Sequence, residues 1–345
     1  MRKDRTVEAR IIGLKGSGKT TLMAALAEGR ADGAITTVKM GDERIRRLSE
    51  LFQPRKTIFA EFRVREAAWP EASARKAQME RYLDQLAGAQ VFLHVLRAFE
   101  NPMLADPADA RRDLQRLDSE FIFADLMTVE RALERSRKQP LPDAGKTAFA
   151  RCREALEDER PLRDVDFNEP EAEFLKTYQF LTLVPQIIVV NLESDAVAGD
   201  AIEVTLADLV QGRQIVAFPF PEAAEVAELS PAEQLEFAEA MGLPGPAAEI
   251  VSHAAFAQMG LISFFTVGED EVRAWPVRQG THARQAAGAV HSDIERGFIR
   301  AEVVDHDTLL TAGSLKACRD NGSLRIEGKD YTVVDGDVIH YRFNV

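Results

Sequence analysis

The chain has 345 residues, with 43 lysines and arginines against 56 aspartates and glutamates and a formal charge of −13. At roughly 150 residues per domain, such a length holds two or three domains. The negative balance excludes a chain-wide match to DNA or RNA phosphate, so any nucleic-acid contact has to come from a local basic patch. With 46% hydrophobic and 29% charged residues and two cysteines, the composition is that of a soluble cytoplasmic protein without a disulfide framework. No apolar run approaches the ~18–20 residues of a membrane span. The start, Met1-Arg2-Lys3-Asp4-Arg5, lacks the apolar core of a signal peptide.

The first apolar run, Val7–Leu14, reads as a buried strand. It leads into Gly13-Leu14-Lys15-Gly16-Ser17-Gly18-Lys19-Thr20, which matches G-x-x-x-x-G-K-[ST], and Thr20–Leu26 then opens a helix. This is a phosphate loop in the context its chemistry needs. Glycines let backbone N–H groups turn inward around phosphate oxygens, and the helix N-terminus adds positive potential. The expected phosphate ligands are Gly13, Lys15, Gly16, Ser17, Gly18, Lys19, Thr20 and Thr21, with Lys19 on the terminal phosphates and the Thr20 hydroxyl on Mg²⁺.

Further strands are expected at Ile58–Val64, Val91–Leu96 and Ile187–Leu192, alternating with helical stretches, which argues for a parallel-sheet α/β domain. Between the last two lie Ile122, Leu126, Val129 and Leu133 at helical spacing, a Pro140–Gly145 turn, and a second stripe at Phe149, Cys152 and Leu156. Two such stripes predict an antiparallel helical hairpin inserted in the first domain. Gln186–Val190 runs into Asn191-Leu192-Glu193-Ser194-Asp195. A polar residue at the carboxyl end of such a strand faces the ligand crevice, so Asn191 is expected to hold the base edge. The same residue type also initiates turns. Beyond Leu261 the pattern changes to short alternating runs, with one helix over Thr281–His291 and a hairpin signal at Asp335-Gly336.

From the phosphate loop to the carboxyl end the chain resembles YchF, the Obg-like ATPase family of the translation-factor-related GTPases. The resemblance is carried by Leu181–Pro185, Phe265–Gly268, Glu271–Trp275, Gln285–Gly288, Ile294–Val303, Glu327–Tyr331 and Asp335–Val345. It implies a P-loop domain over 1–113 and 180–260, a helical arm over 114–179, and a ubiquitin-like β-grasp (TGS) domain over 261–345. It implies ATP or GTP as ligand, Mg²⁺ with it, and ribosome or RNA partners met through the TGS domain and the arm. No membrane or DNA partner is expected.

The chain departs from that family in four places. Val64 and Ala67 stand where an Asp-x-x-Gly element is expected, with Glu66 a possible substitute acid. The Ala27–Met40 loop is short, leaving Thr36 and Thr37 as its hydroxyls. The family's Asn-x-x-Glu reads Asn191-Leu192-Glu193-Ser194, so base choice rests on Asn191 with Glu193 or Asp195. The loop after the third strand, Pro102–Asp106, holds no histidine, and His94 belongs to the strand itself. The expectation is a purine-nucleotide binder with weak or absent hydrolysis. The alternatives are an active ATPase or GTPase using substitute residues, or a non-catalytic scaffold with a relic phosphate loop.

Overall fold

The computed structural model describes residues 7–27, 35–70, 75–194, 200–210, 212–243 and 245–344. The chain begins β1 (Val7–Ile12), α1 (Lys19–Leu26), β2 (Ile35–Lys39), α2 (Glu43–Phe52), β3 (Lys56–Ile58), β4 (Glu61–Glu66), α3 (Arg75–Leu86) and β5 (Val91–Ala98). It continues through α4 (Ala110–Ser136), α5 (Asp143–Glu157), α6 (Glu169–Leu175), β6 (Gln186–Leu192), α7 (Asp200–Val210) and β7 (Ile215–Phe218). Then come α8 (Phe220–Ala227), α9 (Pro231–Ala240), α10 (Ala247–Gln258), β8 (Leu261–Thr266), β9 (Glu271–Arg278), α11 (Ala283–Val290) and α12 (Ser292–Arg296). The last elements are β10 (Phe298–Asp305), α13 (His306–Ala312), α14 (Leu315–Asp320), β11 (Arg325–Glu327) and β12 (Asp337–Phe343).

The first sheet has the order β2-β4-β1-β5-β6-β7. The β1–β5, β5–β6 and β6–β7 pairs are parallel. Buried on both faces, β5 and β6 are continuous Val/Ile/Leu runs rather than alternating ones. One face packs Leu96, Ile188 and Val190 on Leu114, Leu206 and Val210 of α4 and α7. Each fully buried side chain of that size contributes roughly 1.5–3 kcal/mol of burial free energy.

The helical arm is α4 and α5, with Ile122 and Val129 packed on Phe149, Cys152 and Leu156. Its first helix starts at Ala110, where the Asp109 carboxylate caps it by accepting from the Arg112 N–H at 2.9 Å. The buried Asp125 carboxylate of α4 accepts from the Leu181 and Thr182 N–H groups at 2.9 and 2.8 Å, tying the arm to the segment that enters β6.

The second sheet is mixed, in the order β11-β10-β12-β8-β9-β3. Helix α11 buries Ala283, Ala286 and Ala287 against Phe264, Val303, Ile339 and Tyr341, the helix-on-sheet core of a β-grasp module. Two sequence expectations change here. The Ile58–Val64 run is not one strand, because Lys56–Ile58 pairs in parallel with Glu271–Arg273 in this second sheet and only Glu61–Glu66 joins the first. Asp335-Gly336 is not a hairpin, because β10 lies between β11 and β12. The turn instead feeds β12, with the Asp335 carboxylate accepting from the Ser263 N–H at 2.8 Å.

By compactness the chain divides into one unit of 1–37 and 63–255 and another of 38–62 and 256–345. Residues 38–62 therefore group with the carboxyl-terminal residues, not with the rest of 1–113. Within that unit Arg44 of α2 pairs with Asp335 at 2.7 Å and lies over the Phe265 ring. No helix among the described residues is long and apolar enough to cross a membrane.

Candidate nucleotide site

The end of β1 turns sharply into the glycine-rich loop, and α1 begins at Lys19 with Gly18 as its N-cap. Gly18 adopts a left-handed φ of +100°, and a Cβ there would come within 2.3 Å of the Asn191 amide nitrogen. Only glycine allows that approach of loop to strand end. The loop borders a cleft of about 680 Å³ that brings together Lys15, Gly16, Gly18, Lys19, Thr20, Thr21, Asn191 and Glu193. Gly13 and Ser17 lie behind this surface, with Ser17 buried and its hydroxyl unpartnered among the described residues.

Lys19 is buried rather than exposed. Its ammonium donates to the Gly13 and Leu14 carbonyls at 3.1 and 3.0 Å, so the loop supplies the acceptors that phosphate oxygens would replace. Burial pulls its pKa below the ordinary lysine value, and the Glu66 carboxylate opposes that shift.

The acid opposite the loop is Glu66, not a residue at position 64. Phe62, Val64 and Glu66 share one face of β4. The first two are fully buried, while Glu66, at the strand's carboxyl end, reaches the cleft. Its Oε2 accepts from the Thr20 hydroxyl at 3.0 Å. Glu66 lies two residues beyond Val64 on the same strand face, because the strand runs two residues further than its apolar run suggests. Ala67 is also fully buried and gives its N–H to the Ile11 carbonyl at 2.9 Å. The third residue after Glu66 is Trp69, which lines the cleft and stands edge-on to Tyr82 at 5.2 Å. A hydroxyl and a carboxylate side by side are the hard oxygen donors that Mg²⁺ takes, so this pair fits the ion. Thr36, which is buried, and Thr37 sit in β2 and are not among the cleft residues.

At the other end, Asn191 uses its amide twice. Its Nδ2 donates to the Ser17 carbonyl at 3.3 Å, and its Oδ1 accepts from the Phe220 N–H at 3.1 Å. It thereby joins the phosphate loop to the start of α8. The Glu193 carboxylate accepts from the Glu100 N–H at 3.1 Å. Asp195 lies outside the described residues.

That Glu193 contact is one fixing point of the short loop after β5, which sequence reasoning treated only as a loss. Glu100 in turn accepts from the Ala108 N–H at 3.3 Å, and Asn101 Oδ1 accepts from Met103 N–H at 3.0 Å. Arg97 donates to the carbonyls of Asp106 and Pro107 at 2.7 and 3.0 Å. The bracket so formed seats Leu104 on the phosphate loop, where a Cβ on Gly16 would lie 2.6 Å from Leu104 Cδ1. Phe99 and Asn101 of the same loop line the cleft. His94 is an interior residue of β5. Its Nδ1 lies 3.2 Å from Gln186 Nε2, and burial pulls its pKa down to about 3.

Comparison with known proteins adds four findings. Residues 261–344 match the family model YchF-GTPase_C, described as a protein of unknown function (DUF933). The chain is 33% identical to the ribosome-binding ATPase YchF of Bacillus subtilis over 98% of its length and 99% of that protein. It is 31% identical to Obg-like ATPase 1 of rice, over 97% of this chain and 91% of the relative. Among solved structures, the Schizosaccharomyces pombe YchF GTPase superposes with a TM-score of 0.85 at 23% identity, covering 98% of each chain, a likeness of fold.

Proposed function

The chain belongs to the YchF, or Obg-like ATPase, family, and we propose that it binds a purine nucleotide in the cleft described above, turns it over slowly, and associates with ribosomes. One observation carries the nucleotide reading. The phosphate loop, the N-terminus of α1, the Thr20–Glu66 pair and Asn191 converge on a single cleft. The bacterial relatives are named ribosome-binding ATPases, which supports the partner.

In this reading ATP or GTP enters with its phosphates on the loop. The Lys19 ammonium leaves the Gly13 and Leu14 carbonyls for the terminal phosphate oxygens. Thr20 and Glu66 would hold Mg²⁺, which when bound neutralises charge on the phosphate oxygens. Phosphoryl transfer further needs a positioned water and neutralisation of developing charge. The parts lining the phosphate end here are poor at the first task, since Leu104 and Trp69 are apolar in contact with the loop and cleft. The expected result is affinity for diphosphate and triphosphate within about tenfold of each other, with turnover below that of ordinary P-loop hydrolases.

The Thr20–Glu66 hydrogen bond favours a second reading, an active enzyme with Glu66 as its metal-holding acid. Calorimetry with ADP, GDP and non-hydrolysable triphosphates, with and without EDTA, combined with a phosphate-release assay, separates the two. A triphosphate preference above a hundredfold that disappears with EDTA selects the active enzyme. Failure of every nucleotide to bind reduces the loop to a relic.

A further inference from the structure

The cleft extends to both sides of the phosphate loop. Strand β1, which carries the loop, has β4 on one side and β5 and then β6 on the other. Phe99 follows β5 and Asn191 lies at the carboxyl end of β6, so these two line one flank of the cleft. Glu66 closes β4 and Trp69 follows it, and they line the opposite flank. Three strand spacings, about 14 Å, separate β4 from β6. A phosphate chain that starts at a nucleoside beside Asn191 and crosses the loop to the Thr20–Glu66 pair is therefore heading toward Trp69.

Trp69 is anchored from behind. It packs on the buried cluster that contains Ile12, Ala67, Tyr82 and Leu86, and it stands edge-on to the Tyr82 ring at 5.2 Å between centroids. Tyr82 is fully buried, whereas Trp69 is only half-buried and gives the rest of its surface to the cleft wall. An indole is a poor neighbour for the last phosphate of a mononucleotide, because its π face carries negative potential and it brings no positive charge. It is a good neighbour for a second flat ring, since a base of any identity stacks on an aromatic side chain. Phe99 offers the same kind of wall on the other flank.

We infer that Trp69 forms a second base-stacking subsite, so that the cleft takes polyphosphates carrying a nucleoside at each end. The first nucleoside lies against Phe99, the phosphates lie on the loop with Lys19 and Thr20, and the second base lies on Trp69. Asn191 and Glu193 are engaged within the protein, so neither flank demands one purine over the other. A nucleoside triphosphate fills only the first two parts. The inference rests on the purine-nucleotide reading above for the loop and on the sheet order for the second subsite.

Calorimetry on the full chain with ATP, adenosine tetraphosphate and diadenosine tetraphosphate, all with Mg²⁺, tests it. The two tetraphosphates share a phosphate count and differ in the second nucleoside. Diadenosine tetraphosphate should bind about tenfold more tightly than adenosine tetraphosphate, the value of one stacked base. Trp69→Leu, which keeps apolar volume on the Tyr82 cluster but no ring, should abolish that preference, and Trp69→Phe should keep most of it. The chain has two tryptophans, so the difference in emission between wild type and Trp69→Leu isolates Trp69 from Trp275. That difference should change with diadenosine tetraphosphate and much less with adenosine tetraphosphate. Equal affinity for the two tetraphosphates overturns the inference, as does a preference that survives in Trp69→Leu. Equal weakening of all three ligands by Trp69→Leu also overturns it, because Trp69 would then only support the loop. ATP binding without the dinucleotide preference leaves the nucleotide reading standing, whereas failure of all three ligands to bind removes both.

Discussion

The two ends of the cleft are built on different principles. At the phosphate end the recognition groups are backbone N–H groups, one lysine and one hydroxyl, temporarily satisfied by the protein's own oxygens: Lys19 by two loop carbonyls, Thr20 by Glu66. A nucleotide replaces those contacts with equivalent ones. At the base end the two polar side chains are already employed, Asn191 between the phosphate loop and α8, Glu193 on the loop after β5. The phosphate end is organised to exchange partners, whereas the base end is organised to hold the frame. Affinity should therefore come mainly from phosphates, and base selectivity should be low.

The largest effect should come from Lys19→Ala. Loss of a charge-assisted contact to the terminal phosphates should weaken ATP and GTP alike by about a hundredfold, or ~2.7 kcal/mol. Calorimetry measures it, and binding within threefold of wild type would break the comparison at its stronger end.

Asn191→Ala comes next. It leaves the Ser17 carbonyl and the Phe220 N–H unpaired in a buried place. Unfolding free energy should fall by about 1–3 kcal/mol, and both nucleotides should lose about tenfold in affinity as the loop loosens. A loss confined to one base, with stability unchanged in denaturant titration, would make Asn191 a base reader instead.

Glu66→Gln sharpens the phosphate end. The amide still accepts from Thr20 but brings no charge to a cation. Mg²⁺ enhancement of triphosphate binding should fall by about tenfold, with metal-free affinity unchanged. Titrations with and without EDTA compare the two directly, and an undiminished Mg²⁺ effect would move the metal elsewhere.

The difference between the ends also explains what could be read from the sequence. Gly16-Ser17-Gly18-Lys19-Thr20 is legible because backbone chemistry permits so few residues there, and its strand and helix follow in order. The helical arm was legible from the 3.6-residue spacing of Ile122, Val129, Phe149 and Cys152. In the sequence Glu66 is legible only as a substitute acid, because an apolar run marks where a strand is buried, not where it ends. β3 was hidden for another reason. Three residues carry little periodicity, and their pairing with Glu271–Arg273 is a contact across more than two hundred positions that no local pattern encodes. The bracket after β5 escaped notice because it consists of backbone hydrogen bonds fixed by Arg97 and Glu193, not of a recognisable motif.

The smallest expected effect is the one that tests the base end most closely. Glu193 occupies a position where a carboxylate would suit guanine, whose ring N–H and amino groups are donors. In the structure, however, that carboxylate receives the Glu100 N–H, at the head of the loop that sets Leu104 against Gly16. If Glu193 positions the loop, Glu193→Ala should weaken ATP, GTP and inorganic tripolyphosphate by a similar factor of about three to five, near 1 kcal/mol, because the missing contact lies outside the base. Glu193→Gln, which keeps an oxygen acceptor for the Glu100 N–H, should restore most of the loss. If Glu193 reads the base, the alanine variant should lose GTP selectively, tripolyphosphate should bind as to wild type, and glutamine should fail to rescue because its amino group faces guanine's donors with a donor. The tripolyphosphate measurement decides between the two, since that ligand has no base for a carboxylate to recognise.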